Sequence, residues 1–254
     1  MLLYHEDVQL GEKVIDVYVL NLNYGMFLKD CLMSVTRHGL NPILLDGGSS
    51  DNSVEIAKQL GVKVMVFDSD KGKRFNYAVE SFDSKYLMFM ASDNILLDGF
   101  TKKTERFLES HSKYGVAYGY AIPISESGKR IGAFLHGGVF FRDRLHFSNF
   151  IDYSEALIRR ESLTGLHMPN RFYSPDWFMW LYASSCGWKF KNLFMPSILY
   201  RIHSRQLSKT LPRYVLENEK DFLKETFGKE KFRILDRAVV SLSLAFQKSL
   251  GMLW

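Results

Sequence analysis

Between Ile43 and Asn94 the chain alternates, at short intervals, between apolar runs too short for a helix and polar stretches with helical spacing. Ile43 to Leu45 is a strand-like run, and Val54, Ile56, Ala57 and Leu60 then suit a helix that stops at Gly61. Val62 to Phe67 gives a second strand, Lys71 to Glu80 a loop leading into a helix, and Lys85 to Ala91 a third strand that ends at Asp93. Strand, helix, strand, helix, strand leaves few topologies: the strands run parallel and their crossovers are right-handed. Ligands of such open sheets bind beyond the carboxyl ends of the strands, which places Asp46 and Asp93 at one pocket.

The pattern extends in both directions. Val14 to Leu20 is a β-rich first strand, Asn21 to Gly25 a loop, and Met26 to Arg37 a helix whose Leu28, Leu32 and Val35 face the sheet. That loop also sits at a carboxyl strand end. Asn21, Asn23 and Tyr24 therefore either touch a base and ribose or serve ordinary turn chemistry, which asparagine favours. Gly47 and Gly48 let the backbone turn tightly, and Asp51 is placed to cap the next helix. Lys71, Lys73 and Arg74 form a basic cluster that suits phosphate oxygens or a solvated loop, with Asn76 holding the loop in place. Further on, Gly99 to Ser112 reads as a helix, and Gly115 to Ile122 and Arg130 to Phe141 as strands around a turn at Ser125 to Lys129. Ser174-Pro175-Asp176 has the grammar of a helix start, a placement that favours an ionised Asp176. A strand-like Lys191 to Leu199 precedes Tyr200-Arg201-Ile202-His203.

From Pro212 two helices are expected, Tyr214 to Thr226 and Lys231 to Met252, forming an appendage over 212–254. The apolar stripe Leu235, Val239, Leu242, Phe246 and Leu250 of the second suits an anionic membrane surface, its own domain or a dimer mate. With 254 residues, 46% of them hydrophobic, the rest builds one domain over 1–211, split into a pocket half at 14–112 and a second half at 113–211. The net charge of +5 is not gathered into a basic stripe with interleaved aromatics, so no nucleic-acid partner is expected. Cys31 and Cys186 sit among apolar neighbours in helical stretches, Met1 to Lys13 lacks the pattern of a signal peptide, and no apolar run approaches the roughly 18 residues of a membrane span. The expectation is a cytoplasmic protein, at most peripheral at the inner face of a membrane.

The motifs, in order, resemble those of family 2 glycosyltransferases. Asp46-Gly-Gly-Ser-Ser-Asp-Asn-Ser53 is similar to the family's Asp-x-Gly-Ser-Thr-Asp-Gly-Thr, and Val14 to Tyr24 to its first strand and nucleotide loop. Lys71 to Ala78 looks like the Gly-x-x-x-Ala-x-Asn-x-Gly segment, and Asp93 fits the last carboxylate of the Asp-x-Asp metal motif. Pro175 to Leu181 resembles the Glu-Asp-Trp-Asp-Leu-Trp-Leu helix start, and Tyr200 to His203 the Tyr-Arg-x-His motif; together the matches span residues 14 to 208. Ser92, Pro175 and Tyr182 depart from the pattern, where relatives carry a carboxylate, Glu and Arg.

The resemblance implies a GT-A-like α/β fold, a Rossmann-type, mostly parallel sheet flanked by helices, with C-terminal helices. It implies transfer of a sugar from a UDP- or GDP-linked donor to an acceptor hydroxyl, with inversion, on a glycan or lipid-linked acceptor of the kind met in bacterial surface polysaccharide synthesis. Asp46 would accept from a nucleobase imide, and Asn21, Asn23 and Tyr24 would seat the nucleoside. Lys73, Arg74, Ser92, Asp93 and Arg201 would meet the diphosphate, Asp93 and His203 would hold Mn2+ or Mg2+, hard cations suited to carboxylate and phosphate oxygens, and Asp176 would be the general base. His136, Gly137 and Gly138 would let the backbone approach a sugar. Two other readings stand beside this one. A sugar-phosphate nucleotidyltransferase would carry a Gly-rich, Arg-containing loop where this chain has Asn-Leu-Asn-Tyr-Gly; a non-catalytic nucleotide-sugar or glycan-binding module is motivated by Ser92 and Pro175.

Overall fold

The computed structural model describes residues 14–80, 84–138, 140, 142–146 and 148–228. The chain begins with β1 (Ile15–Asn21), α1 (Gly25–Thr36), β2 (Pro42–Asp46), α2 (Ser53–Gln59), β3 (Lys63–Val66), α3 (Lys71–Glu80) and β4 (Tyr86–Ala91). β1 pairs in parallel with β2 and β4, and β2 with β3, as strands joined by helical crossovers must. All seven residues of β1 are buried because both faces of the sheet are covered. Its side chains alternate accordingly. Ile15, Val17 and Val19 join one core with Leu28, Leu32 and Val35 of α1, whereas Tyr18 and Leu20 join the other with Phe75 and Ala78 of α3. Asp16 is also buried, and its Oδ2 is held by an ion pair with Arg160 at 3.0 Å and a bond from the Ser84 hydroxyl.

Then come β5 (Ile95–Leu96), α4 (Phe100–Ser110), β6 (Tyr114–Ser125), β7 (Ala156–Arg159), α5 (Pro175–Ser185), β8 (Lys189–Ile202), α6 (Leu207–Thr210) and α7 (Arg213–Phe227). The described strands form one sheet in the order β3-β2-β1-β4-β7-β6-β8-β5. The direction changes at β7, which runs antiparallel to both β4 and β6, while β8 runs parallel to β6. That reversal positions the site. With Met88 opposite Leu157, the start of β7 and the residues before it lie beside the carboxyl end of β4. With Ile95 opposite Leu199, the segment after β4 also meets the carboxyl end of β8.

Two expectations are corrected. Arg130 to Phe141 does not form a strand: among the described residues it makes only isolated bridges, Leu135 to Ala121 and Arg130 to Ile124, and left-handed backbone at His136 and Gly137 ends the run. The helix over α3 starts at Lys71 itself, without an entering loop. A short strand, β7, appears in a segment with no pattern legible from sequence. Helix α5 is buried from Pro175 to Leu181; its Trp180 donates to the Ile151 carbonyl at 2.8 Å and Trp177 to the Leu145 carbonyl, fixing the loop before β7. Helix α7 closes over α5, with Leu223 in the core and Phe222 and Phe227 against Phe178. The expected second C-terminal helix, Lys231 to Met252, lies outside the described residues, as does Met1 to Lys13.

Candidate active site

The carboxyl ends of β1 and β4, the residues before β7, the start of α5 and the segment after β8 enclose a cavity of about 610 Å³. Its size and its mix of apolar walls with a few polar groups suit a small organic ligand. On the side of β1, Asn21, Asn23 and Tyr24 line it. Their loop is laced to the turn after β2. Asn23, at a φ of 58°, accepts from the Ser50 amide at 2.8 Å, and the Ser49 hydroxyl accepts from the Asn23 amide at 2.9 Å.

Asp46 lies beneath this loop, not on the cavity wall. Its carboxylate accepts from Asn21 Nδ2 at 2.8 Å, the Gly48 amide at 3.0 Å, and the Ser49 amide and hydroxyl at 2.7 Å each. Four bonds saturate it, so contact with a nucleobase requires one of them to be exchanged. Arg74 does line the cavity and reaches across the strand ends, donating from Nη1 to the Asn21 carbonyl at 2.8 Å and the Leu45 carbonyl at 3.4 Å. The guanidinium passes so close to Gly47 that a Cβ there would lie 3.2 Å from it. Asn76 holds a different segment from the expected one, exchanging bonds with the Met168 carbonyl at 2.9 Å and amide at 2.7 Å.

Lys73 and Arg201 are placed elsewhere than expected. Residues 71 and 74 share a helix face at a spacing of three, and 73 does not. Lys73 accordingly points to solvent and pairs with Asp68 at 2.6 Å, while Lys71 enters the cavity, donating to the Tyr173 carbonyl at 3.3 Å with its ammonium 5.2 Å from the Tyr153 ring centre. Arg201 is buried behind the turn after β4. It donates to the carbonyls of Asp93 at 3.1 Å and Glu126 at 2.7 Å, pairs with Asp30 at 3.5 Å and stacks over Phe27. Arg205 is the cation of that segment on the cavity wall.

Ser92 and Asp93 line the cavity at the end of β4. Asp93 Oδ2 lies 3.1 Å from His203 Nε2, and the His203 ring is wholly enclosed, packed against Tyr24 and Phe27. Among the described residues no three His, Cys, Asp or Glu side chains converge as a metal cage. The residues nonetheless fit a hard cation that brings ligands with it: Asp93 supplies a carboxylate at the wall, His203 adjoins it, and Ser92 Oγ is buried without a partner among the described residues.

Asp176 faces the cavity from the first turn of α5 and is 7% exposed. Burial pushes its pKa up to about 6, the Asp152 carboxylate adds to the effect, and Lys71 opposes it. The helix start expected to favour the ion is thus outweighed by desolvation. Lys71 is in turn lowered, first by burial, with Asp176 and Asp152 working against the shift. Asp152 caps the turn Tyr153–Glu155 by accepting from the Ser154 amide at 2.8 Å. Sequence reasoning missed Asp152 and Arg205 as cavity residues and placed Lys71 in the basic cluster without separating it from Lys73; Asp-x-Ser at a turn start and the 71/74 spacing were the available signals.

The mixed α/β sheet thus opens its parallel strand ends on a cavity that carries one carboxylate at a strand end and a second at a helix start. The family model described as Glycosyl transferase family 2 matches residues 16–179, and the chain belongs to that family. No curated protein matches it by sequence. Among solved structures it is similar to S. aureus TarS 1-349 in complex with UDP-GlcNAc, with 13% identity over 84% of this chain and 71% of that one and a TM-score of 0.62. It is also similar to glucosyl-3-phosphoglycerate synthase from Mycobacterium tuberculosis in complex with Mn2+ and UDP-glucose, at 16% identity, 82% and 76% coverage and a TM-score of 0.57. Mannosyltransferase PcManGT from Pyrobaculum calidifontis, in complex with GDP-Man and Mn2+, matches at 12% identity, 76% and 58% coverage and a TM-score of 0.56. At these identities the likeness is one of fold. No described helix is long and apolar enough to cross a membrane.

Proposed function

We propose that this family 2 glycosyltransferase moves a hexose from a UDP- or GDP-linked donor to a hydroxyl of a glycan or lipid-linked glycan acceptor, with inversion, as in surface polysaccharide synthesis. The observation that carries the reading is the single cavity joining Asn21 to Tyr24 and Asp93 on one side to Asp176 on the other. Asn21, Asn23 and Tyr24 seat the nucleoside. Arg74, Lys71 and Arg205 meet the diphosphate, with Lys71 and Arg205 in the parts that the family resemblance implies for Lys73 and Arg201. Asp93, with His203 and Ser92 beside it, would hold Mn2+ or Mg2+, whose charge when bound offsets that of the departing diphosphate.

Asp176 takes the acceptor's proton as the hydroxyl oxygen attacks the anomeric carbon from the face opposite the diphosphate. One bond forms as the other breaks, so the configuration inverts. A base with a pKa of about 6 is mostly ionised at neutral pH yet more basic than an ordinary aspartate. Leu22, Leu207, Leu211 and Leu216 also line the cavity, which supports an acceptor with an apolar tail.

Thermal unfolding against UDP- and GDP-sugars, each with Mn2+ or with chelator, tests the reading. A ligand at 100 times its dissociation constant stabilises by about 2.7 kcal/mol, a shift of a few degrees. The expected result is a metal-enhanced shift with one nucleotide class, retained by Asp176→Asn while transfer is lost. No shift with any nucleotide refutes donor binding, and normal turnover by Asp176→Asn refutes the base.

A further inference from the structure

Among the residues lining the cavity stands His136, whose backbone is left-handed at a φ of 57°, a conformation uncommon outside glycine. The surroundings hold it there. The Gly137 amide donates to the Phe150 carbonyl at 3.1 Å, Tyr118 Oη donates to the Gly138 carbonyl at 2.7 Å, and Asn192 Nδ2 clamps both the Gly137 and Gly138 carbonyls. A Cβ on Gly137 would collide with the Gly119 carbonyl. Strain maintained by so many contacts beside a cavity marks a side chain whose position matters.

His136 Nδ1 lies 2.9 Å from Glu155 Oε1, a carboxylate with no exposed surface. The ring meets Tyr200 edge-on with centres 5.2 Å apart. Nε2 has no partner among the described residues, and about a third of the side chain stays open to the cavity. The groups facing His136 are Glu155 and Asp152 from the turn before β7, Asp176 from α5 and Tyr200 from β8. Burial disfavours its positive charge, but the charge and hydrogen bond of Glu155 outweigh it, helped by Asp152 and Asp176, and the pKa rises to about 9. The protonation state decides what the ring offers. With Nδ1–H given to Glu155, a neutral ring has only a lone pair on Nε2; the imidazolium alone presents a second N–H.

Building on the transfer reaction proposed above, we infer that His136 is an acceptor-binding residue: it donates Nε2–H to one hydroxyl oxygen of the acceptor while Asp152 accepts from the adjacent hydroxyl, next to the group that Asp176 deprotonates. Asp152 keeps acceptor capacity for this, since the Ser154 amide occupies Oδ1. The acceptor class is then a sugar with a vicinal diol. Glu155 touches no substrate in this scheme; it positions the ring and keeps it charged.

The test uses the full chain with whichever nucleotide sugar gives the thermal shift, and methyl hexopyranosides with their monodeoxy analogues as acceptors. Wild type is expected to transfer to at least one methyl hexoside and to lose that activity with the analogue lacking the neighbouring hydroxyl. His136→Asn, which tolerates the left-handed backbone, is expected to lower acceptor kcat/KM by about 10- to 100-fold, as loss of a charge-assisted hydrogen bond does, and to keep the donor-induced shift. Glu155→Gln is expected to move the alkaline limb of the rate profile down from its raised position to the ordinary histidine range near 6.5 or below. Acidification should restore the bound acceptor in that variant, an effect that mere loss of packing would not produce. The inference falls if His136→Asn keeps its acceptor kcat/KM, if the limb in Glu155→Gln stays where it is, or if donor-binding wild type uses no methyl hexoside. A wild type that binds no nucleotide sugar overturns the transfer reaction itself, and that failure is visible before His136 is altered.

Discussion

In the parallel half of the sheet, the polar side chains at the strand ends are largely consumed by the fold. Asp46 takes four bonds from its own turn and its neighbour strand, and Arg74 ties the ends of β1 and β2 together. In the half that begins at β7, Asp152, Asp176, His136 and Glu155 answer chiefly to one another, with Lys71 projecting toward them from α3. The first arrangement gives a fixed shape. The second gives Asp176, His136 and Glu155 a protonation set by burial and neighbouring charge, the condition under which a carboxylate becomes a useful base near neutral pH. A transferase needs both: a rigid seat for a nucleotide it releases unchanged in shape, and a responsive pocket where a proton moves.

The largest expected effect falls in the responsive half. Asp176→Asn should reduce turnover by about 10²- to 10⁴-fold, the usual contribution of a general base, measured at saturating donor. In the unaltered protein the rate should drop about tenfold per pH unit below roughly 6, as Asp176 takes up its proton. Stability should move the other way. Because the folded protein raises this pKa from the ordinary 3.8 to about 6, it binds the proton more tightly than the unfolded chain, and stability is lost as pH rises across that window. Asp176→Asn should therefore raise the melting temperature at pH 8 and leave it little changed at pH 4, by on the order of 3 kcal/mol at most. A variant with less activity and no gain at pH 8 would show that Asp176 is not the strained group described here.

The rigid half should lose stability, not gain it, when its polar residue is removed. Arg74→Met keeps most of the packing volume but removes the donors to the Asn21 and Leu45 carbonyls, and should cost about 2 kcal/mol by denaturant unfolding. Opposite signs for Asp176→Asn and Arg74→Met at pH 8 would sustain the contrast between the halves; equal signs would dissolve it.

The same contrast governs how much was legible beforehand. From β1 to α4 the strands alternate sides and the helices stop where glycine or a turn says so, so local periodicity carries the argument to nearly the right boundaries. Arg130 to Phe141 has strand-like composition, but left-handed backbone at His136 and Gly137 breaks a continuous ladder. β7 is four residues long and exists because β4 and β6 flank it, a pairing between distant segments that no local pattern announces. Asp176 was legible as a helix-start acid, yet its pKa is raised by burial and Asp152 against the opposing Lys71, a balance that only the fold assembles. Polar residues in sequence motifs were legible by identity and not by direction, which is why Arg201 and Lys73 turned out to face away from the cavity.

Direction along α3 is where the smallest expected effect is the most discriminating. Lys71, Lys73 and Arg74 are equivalent as a cluster in sequence, but a helix that starts at Lys71 separates them by about 100° per residue, so 71 and 74 share a face that 73 leaves. Lys73 forms an exposed pair with Asp68, an interaction that water and salt largely screen. Lys73→Ala should therefore leave the melting temperature within about a degree and the nucleotide-induced shift intact. Lys71→Ala should weaken that shift, and by removing the cation that opposes the rise it should push the Asp176 limb of the rate profile above its present position near pH 6. If Lys73→Ala weakened nucleotide binding as much as Lys71→Ala, the phosphate-facing side of α3 would have to be the one turned to solvent. The division between a rigid seat and a responsive pocket would then be drawn through the wrong face of the helix.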